Sequence, residues 1–335
     1  MAELKFSDLR KRIEAKQFSP MYGLHGEEPY YIDVIAELIE KHCLSESEKS
    51  FNQHILYGRD TDAKTLLDVC MRYPMMAERQ LVILREAQMM RDLEDIQPYL
   101  DKPAPTTVLV VCYRGKKLDG RKKFTKLFDE RGTSFYSAPV RDYQMPEWIE
   151  GYVRSKGKTI EKRSAILLEE YLGNNLSRVA NSIDLLIMNM KEGDTINADL
   201  IQKFIGISKD YNSFELNNAL LKKDRAKAFR VVNYFASNPK AAHLVMVMGG
   251  LYSLFSKLLL MTAVKSKSDG ELAKLLGVGP YFVKDYKAAT RLYSPVKLRE
   301  VISLLHRYDV RSKGVDDAGT PHGELLRELI WQILN

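Results

Sequence analysis

The residues whose types and spacing suit phosphate chemistry lie in the run Pro20-Met21-Tyr22-Gly23-Leu24-His25-Gly26-Glu27-Glu28-Pro29. A strand, a glycine turn and a helix opening read from it, the arrangement in which backbone amides and the positive end of a helix hold phosphates. The turn is short, and no Gly-Lys-Ser or Gly-Lys-Thr follows. Glu27 and Glu28 stand beside the helix start, with Pro29 suited to its first turn, so carboxylates answer the helix dipole where a phosphate would lie. His25 has the type of a general base. No nucleophile or second ligand stands at motif spacing, which favours a structural histidine. Arg85-Glu86 ends another strand, where a nucleotide hydrolase carries paired carboxylates. With no phosphate loop to receive a metal-bound nucleotide, Glu86 beside Arg85 reads as a salt-bridging remnant. Gly23, Gly26, Glu27 and Glu86 together make a degenerate nucleotide site.

Other enzymatic readings do poorly. The six histidines are dispersed, none pairs with a cysteine or acid at metal spacing, and neither GxSxG nor GxGxxG is present. His322-Gly323-Glu324 lacks the cysteines of a zinc deaminase. No catalytic residue, metal or cofactor is expected.

Two stretches carry binding chemistry instead. In Arg72-Tyr73-Pro74-Met75-Met76-Ala77-Glu78-Arg79 an aromatic, a proline and two methionines occupy a helix-to-strand turn that should be small and polar. Exposed, they suit a protein-binding anchor, because methionine is unbranched, polarizable and fills irregular grooves. Folded under the tip, they are ordinary core. Both readings are open at this level. The loop Arg114-Gly115-Lys116-Lys117-Leu118-Asp119-Gly120-Arg121-Lys122-Lys123 is the densest basic cluster. Lys116, Lys117 and Arg121 are candidate DNA contacts, although a solvated loop is the commoner meaning of such runs.

The elements that position these residues change character along the chain. Strand-like segments at Phe51 to Tyr57, Gln80 to Leu84, Thr106 to Tyr113 and Ser134 to Tyr136 alternate with helical patterns at Asp62 to Met71, Arg91 to Leu100 and Arg121 to Glu130. That alternation predicts a three-layer α/β domain with a mainly parallel sheet, preceded by an amphipathic helix, Phe6 to Lys16. Val108 to Val111 and Leu81 to Leu84 read as strands buried on both faces. From Asp142 the strand signals stop and an all-α region begins, with helices at Pro146 to Val153, Glu161 to Leu172, Leu176 to Met190 and Ala198 to Ile205. A composition shift at Ser208 to Asn212 opens a second helical region. Its patterns run Ser213 to Leu221, Asp224 to Phe235, Ala241 to Val264, Asp269 to Leu276, Pro280 to Arg291, Pro295 to Asp309 and Gly323 to Leu334. Gly277-Val278-Gly279-Pro280 is a tight turn, superficially like that of a DNA-binding helix-turn-helix. Domains at 1–140, 141–207 and 208–335 follow.

The 335 residues are 45% apolar and 28% charged, an ordinary globular composition. Their net charge of +7 is compatible with a polyanionic partner without requiring one. Cys43, Cys70 and Cys112 show no CxxC spacing and read as reduced, mostly buried thiols, hence a cytosolic home. Met1 to Phe6 lacks the hydrophobic region of a secretory signal. Leu244 to Val264 has the length of a membrane span, but Lys257 and the interrupting Gly249, Gly250, Ser253 and Ser256 favour a buried bundle helix, so no membrane is expected.

Four stretches, in order and at domain-appropriate spacing, resemble the DNA polymerase III delta subunit family over nearly the whole chain. They are Tyr22 to Tyr30 with Ile32-Asp33, the tip from Pro74 to Val82, Arg114 to Asp119 with its Lys-Leu-Asp core, and Phe214-Glu215-Leu216 ahead of Ala219-Leu220. The resemblance implies an AAA+-like domain without ATP hydrolysis, a small helical lid and a helical collar that joins a pentameric spiral. It implies a clamp-loader subunit that binds and opens the sliding clamp for loading onto primed DNA, in a hetero-oligomer with ATPase and delta-prime type subunits. The chain is then no enzyme by itself, and works in the bacterial cytoplasm, nucleoid-associated at replication forks. On that template Met75 and Met76 enter an apolar clamp pocket, with Tyr73 and Pro74 as their rim; many relatives carry leucine, phenylalanine or a similar bulky pair there. An active AAA+ nucleoside triphosphatase and a general basic DNA-binding protein are the alternatives.

Overall fold

The computed structural model describes residues 4–208, 210–238, 244–264, 268–279, 282–317 and 319–335. Two compact units, Met1–Val140 and Arg141–Asn335, divide the chain.

In the first unit α1 (Phe6–Glu14) precedes β1 (Met21–Gly26), which is buried along its whole length. α2 (Pro29–His42) follows, burying Ile32, Ile35, Ala36 and Ile39 at helical spacing. Next come α3 (Glu46–Asn52), β2 (Gln53–Tyr57) and α4 (Ala63–Cys70), the last capped by Asp62. Then follow β3 (Gln80–Arg85), α5 (Gln97–Asp101), β4 (Thr107–Arg114), α6 (Lys123–Arg131) and β5 (Thr133–Ser137). The strands lie in the order β2-β3-β4-β1-β5, every pairing parallel. Alternate residues of the inner strands feed opposite faces. Leu81, Ile83, Val108 and Val110 pack in one cluster with Leu9, Ile13, Ile32, Ile35 and Ile39. Val82, Leu84, Leu109 and Val111 pack in another with Leu66, Val69, Leu100, Phe124 and Phe128. This is the three-layer α/β arrangement that runs of β-branched and leucine residues predict.

Two expectations fail in this unit. Phe51 and Asn52 do not begin a strand; they end α3, a helix nucleated by a capping box in which the Ser45 N–H donates to the Glu48 carboxylate at 2.8 Å. Ser-Glu-Ser-Glu was the signal for it. The single helix expected from Arg91 to Leu100 is a 3₁₀ turn, Leu93–Ile96, followed by α5. Pro98 lies in the first turn of α5, where its missing N–H costs nothing, and its ring disfavours a helix continuing into it.

The second unit begins with α7 (Met145–Ser155), a short strand β6 (Thr159–Ile160), α8 (Lys162–Leu172), α9 (Leu176–Met188), β7 (Thr195–Ile196) and α10 (Ala198–Ile205). Strand pairing therefore does not stop at Asp142. β6 and β7 pair in parallel, with the Thr159 and Thr195 hydroxyls 2.8 Å apart. The repeated Thr-Ile dipeptide was too short to register as a period. Then come α11 (Ser213–Leu221), α12 (Arg225–Ser237), α13 (Leu244–Ala263), α14 (Asp269–Leu276), α15 (Val283–Ala289), α16 (Pro295–Ser312) and α17 (His322–Leu334). Their buried faces form one apolar cluster from Leu216 to Leu334. α13 is 20 residues long and apolar enough to cross a membrane by composition. Its Val247, Leu251, Leu254, Phe255 and Leu258 lie in that cluster, so this face belongs to a bundle core. Residues 241–243 of the expected Ala241 to Val264 helix, Pro280 of the expected turn and helix, and Lys209 of the composition shift lie outside the described residues.

Candidate functional site

The first unit offers two candidate sites at opposite edges of its sheet. The glycine turn follows the C-terminal end of β1, where open α/β sheets bind ligands. The tip, residues 71–79, runs from α4 into the N-terminal end of β3.

At the C-terminal edge the chain's own groups fill the phosphate corner. Gly26 has φ +146, and a Cβ there would stand 2.0 Å from the Ser137 carbonyl oxygen. Gly23 lies under the Phe128 ring, 2.7 Å from where its Cβ would be. Both glycines are thus required by close packing. The Gly115 N–H donates to the Gly26 carbonyl at 2.8 Å, drawing the basic loop onto the end of β1. The two glutamates divide their tasks, contrary to the expectation that both answer the helix dipole. Glu28 is the N-cap of α2 and accepts from the Tyr30 N–H at 2.9 Å, whereas Glu27 accepts from the Tyr136 hydroxyl at 2.9 Å.

His25 is buried, and its Nδ1 accepts the Leu118 N–H at 3.2 Å. That bond leaves the proton on Nε2, 3.4 Å from the Ser134 hydroxyl. Burial, with Lys117 nearby, lowers the imidazole to about 4, so the ring is neutral at physiological pH and acts as a fastener for the loop. The same loop offsets much of its own charge. Arg121 pairs with Asp119 at 2.8 Å, Lys122 with Glu94, and Lys117 sits 4.3 Å above the Tyr136 ring centroid. Lys116 and Lys117 are exposed. Asp119 is held far below the usual carboxylate range by its hydrogen bonds from Arg121. Glu86 departs from expectation: Arg85 pairs with Glu40 at 3.3 Å, and among the described residues Glu86 makes no ion pair. It takes a left-handed conformation, φ 52, immediately after β3.

The N-terminal edge differs. Tyr73 is 87% exposed, Met75 60% and Met76 fully so, which decides against methionines folded under the tip; Pro74 is half-buried. Met71 and Phe51 add exposed apolar surface that the sequence patterns do not signal, Phe51 because its expected place in a strand hides its position on α3. The tip's base is fixed by Gln80, whose Nε2 donates to the Arg72 carbonyl at 2.7 Å and to the Thr107 hydroxyl at 2.8 Å, while that hydroxyl donates to the Cys70 carbonyl at 2.8 Å. On the returning leg the Arg79 guanidinium lies 5.6 Å from the Phe18 ring centroid. The result is a contiguous, exposed apolar tip on a fixed base.

The parallel α/β sheet and the helical unit that follows it in the chain are the architecture of an AAA+-like protein. The family model described as DNA polymerase III, delta subunit matches residues 22–136, and that of the delta subunit's C-terminal domain matches residues 210–326. The chain belongs to the DNA polymerase III delta subunit family, and with it to the clamp-loading machinery of DNA replication. It is 23% identical to the DNA polymerase III subunit delta of Bacillus subtilis, over 96% of this chain and 94% of that one. The solved structure of the Bacillus subtilis DNA clamp loader delta protein superposes with a TM-score of 0.61 at 21% identity, covering 98% of this chain and 99% of that chain, a likeness of fold.

Proposed function

We propose that this chain binds and opens the sliding clamp, using residues 71–79 as the wedge and hydrolysing no ATP itself. Met75 and Met76 are the anchors, with Tyr73 and Pro74 as rim. The observation that carries this reading is the exposure of a contiguous apolar tip on a fixed base. Burying each methionine contributes about 1.5–3 kcal/mol. Two anchors fall short of the roughly 8 kcal/mol that micromolar affinity needs, so rim contacts must supply the rest. Opening requires the wedge to bind the opened clamp more tightly than the closed one, since only differential affinity shifts an equilibrium.

On this reading the second unit divides into a lid, 141–207, and a collar, 208–335, that joins ATPase and delta-prime type subunits; the chain alone presents the tip, and within the assembly ATP binding by those partners exposes it. DNA is met through the complex, with Lys116, Lys117 and Arg121 as the chain's own candidate contacts. The setting is the bacterial cytoplasm, at nucleoid-associated replication forks.

The test mixes purified chain with the organism's clamp, with and without ATP. Met75→Ser with Met76→Ser is expected to weaken binding by about a hundredfold or more while leaving the fold intact. Unchanged affinity removes the reading, and ATP binding by the isolated chain would revive an active nucleotide site.

A further inference from the structure

The tip has no regular secondary structure, yet one side chain from outside it grips its main chain at the apex. Asn52, the last residue of α3, is 1% exposed. Its Oδ1 accepts the Met75 N–H at 2.7 Å and its Nδ2 donates to the Met75 carbonyl at 3.0 Å. The same Nδ2 donates to the Glu48 carbonyl at 3.0 Å, one turn back in α3, so the amide is itself held. Next to this grip Met76 takes a left-handed conformation, φ 52, that a non-glycine residue adopts only when its surroundings impose it.

We propose that Asn52 is the positioning residue of the wedge: it fixes the Met75 main chain so that Met75 and Met76 are presented together in one binding-ready arrangement. The inference rests on the wedge reading above. Methionine has three rotatable side-chain bonds, so two methionines on a loose loop would be ordered only on binding, with that entropy subtracted from affinity. A pre-set main chain removes much of the loss, and apparent affinity falls in proportion to the fraction of molecules in the competent arrangement. A buried amide that satisfies both main-chain groups of one exposed loop residue has this effect. Capping of α3 alone would need only the bond to Glu48.

The experiment uses the full chain and measures clamp affinity, thermal unfolding and hydrogen exchange at the Met75 amide in wild type, Asn52→Ala, Asn52→Asp, and Met75→Ser with Met76→Ser. Asn52→Ala is expected to weaken clamp binding by about tenfold or more, and to speed exchange at Met75 while amides of the sheet keep their protection. Asn52→Asp preserves size and the acceptor for the Met75 N–H but offers no donor. It is expected to weaken binding likewise, and it decides the matter if the alanine variant fails to fold. Wild-type affinity in a folded Asn52 variant, or weakened binding with Met75 protection unchanged, overturns the positioning role while the wedge stands. Wild-type affinity in the double methionine variant overturns the wedge and this inference with it.

Discussion

At the scale of single residues, the glycines of the phosphate corner carry the sharpest stability prediction. Gly26 combines a positive φ with a Cβ position 2.0 Å from the Ser137 carbonyl oxygen. Gly26→Ala is therefore expected to destabilise the first unit by roughly 2–5 kcal/mol, the sum of backbone strain and overpacking. Denaturant unfolding checks this; a loss under 1 kcal/mol would mean that β5 yields. Gly115, with φ +93 and open space where a Cβ would point, should show backbone strain alone and a smaller loss. The turn's glycines and glutamates were legible as a nucleotide-like pattern, but their division of labour was not. It depends on Ser137, Tyr136 and Phe128, which come together with β1 only when the sheet closes.

Among elements, the joint between α8, α11 and α12 turns on one buried carboxylate. The Glu215 side chain is 3% exposed and takes hydrogen bonds from Arg163 of α8 and Lys227 of α12. Glu215→Gln leaves two cations that can turn toward solvent, because Arg163 and Lys227 are at least one-third exposed. Its expected cost is about 1–2 kcal/mol. Arg163→Met with Lys227→Met strands the carboxylate instead, at an expected cost of about 3 kcal/mol or more. Thermal melts of the two variants give the order, and the reverse order would sink the argument. The sequence marked Phe214-Glu215-Leu216 as a helix start. It gave no sign that Glu215 faces inward, because its partners lie 52 residues before it and 12 after.

At the scale of the whole molecule, the second unit should respond to pH. Burial pushes the Glu169 carboxyl up to about 7, with Asp142 adding to the shift and Lys257 opposing it. Burial also pushes Glu170 up to about 8, reinforced by Glu169 and Glu215 and again opposed by Lys257. Glu170 Oε2 is buried with no hydrogen-bond partner among the described residues. Lys257 is itself lowered by burial, and Tyr286 is raised, so the surroundings disfavour charge of either sign. In the unfolded chain these carboxyls titrate near 4.5. Between about pH 4.5 and 8 the folded unit thus holds protons that the unfolded chain has released, and its stability falls as pH rises through that window. Both tryptophans, Trp148 and Trp331, lie in this unit, so their fluorescence follows its unfolding. Tm by that probe is expected to be higher at pH 5 than at pH 8. Glu170→Gln should raise it at pH 8 and flatten the dependence; a wild-type slope in that variant would remove Glu170 as the cause.

The chain by itself determined its layers, its mainly parallel sheet, the switch to helices and the oddity of an apolar turn, since these follow from local periodicity and from residue types that suit or violate their neighbours' geometry. Tertiary structure decided that the tip's methionines face outward, that Asn52 bonds the Met75 main chain, that His25 fastens the basic loop, and that Glu86 stands apart from Arg85. The Asn52–Met75 and His25–Leu118 bonds join residues 23 and 93 apart in the chain, and a pattern confined to neighbouring residues cannot encode such a pairing.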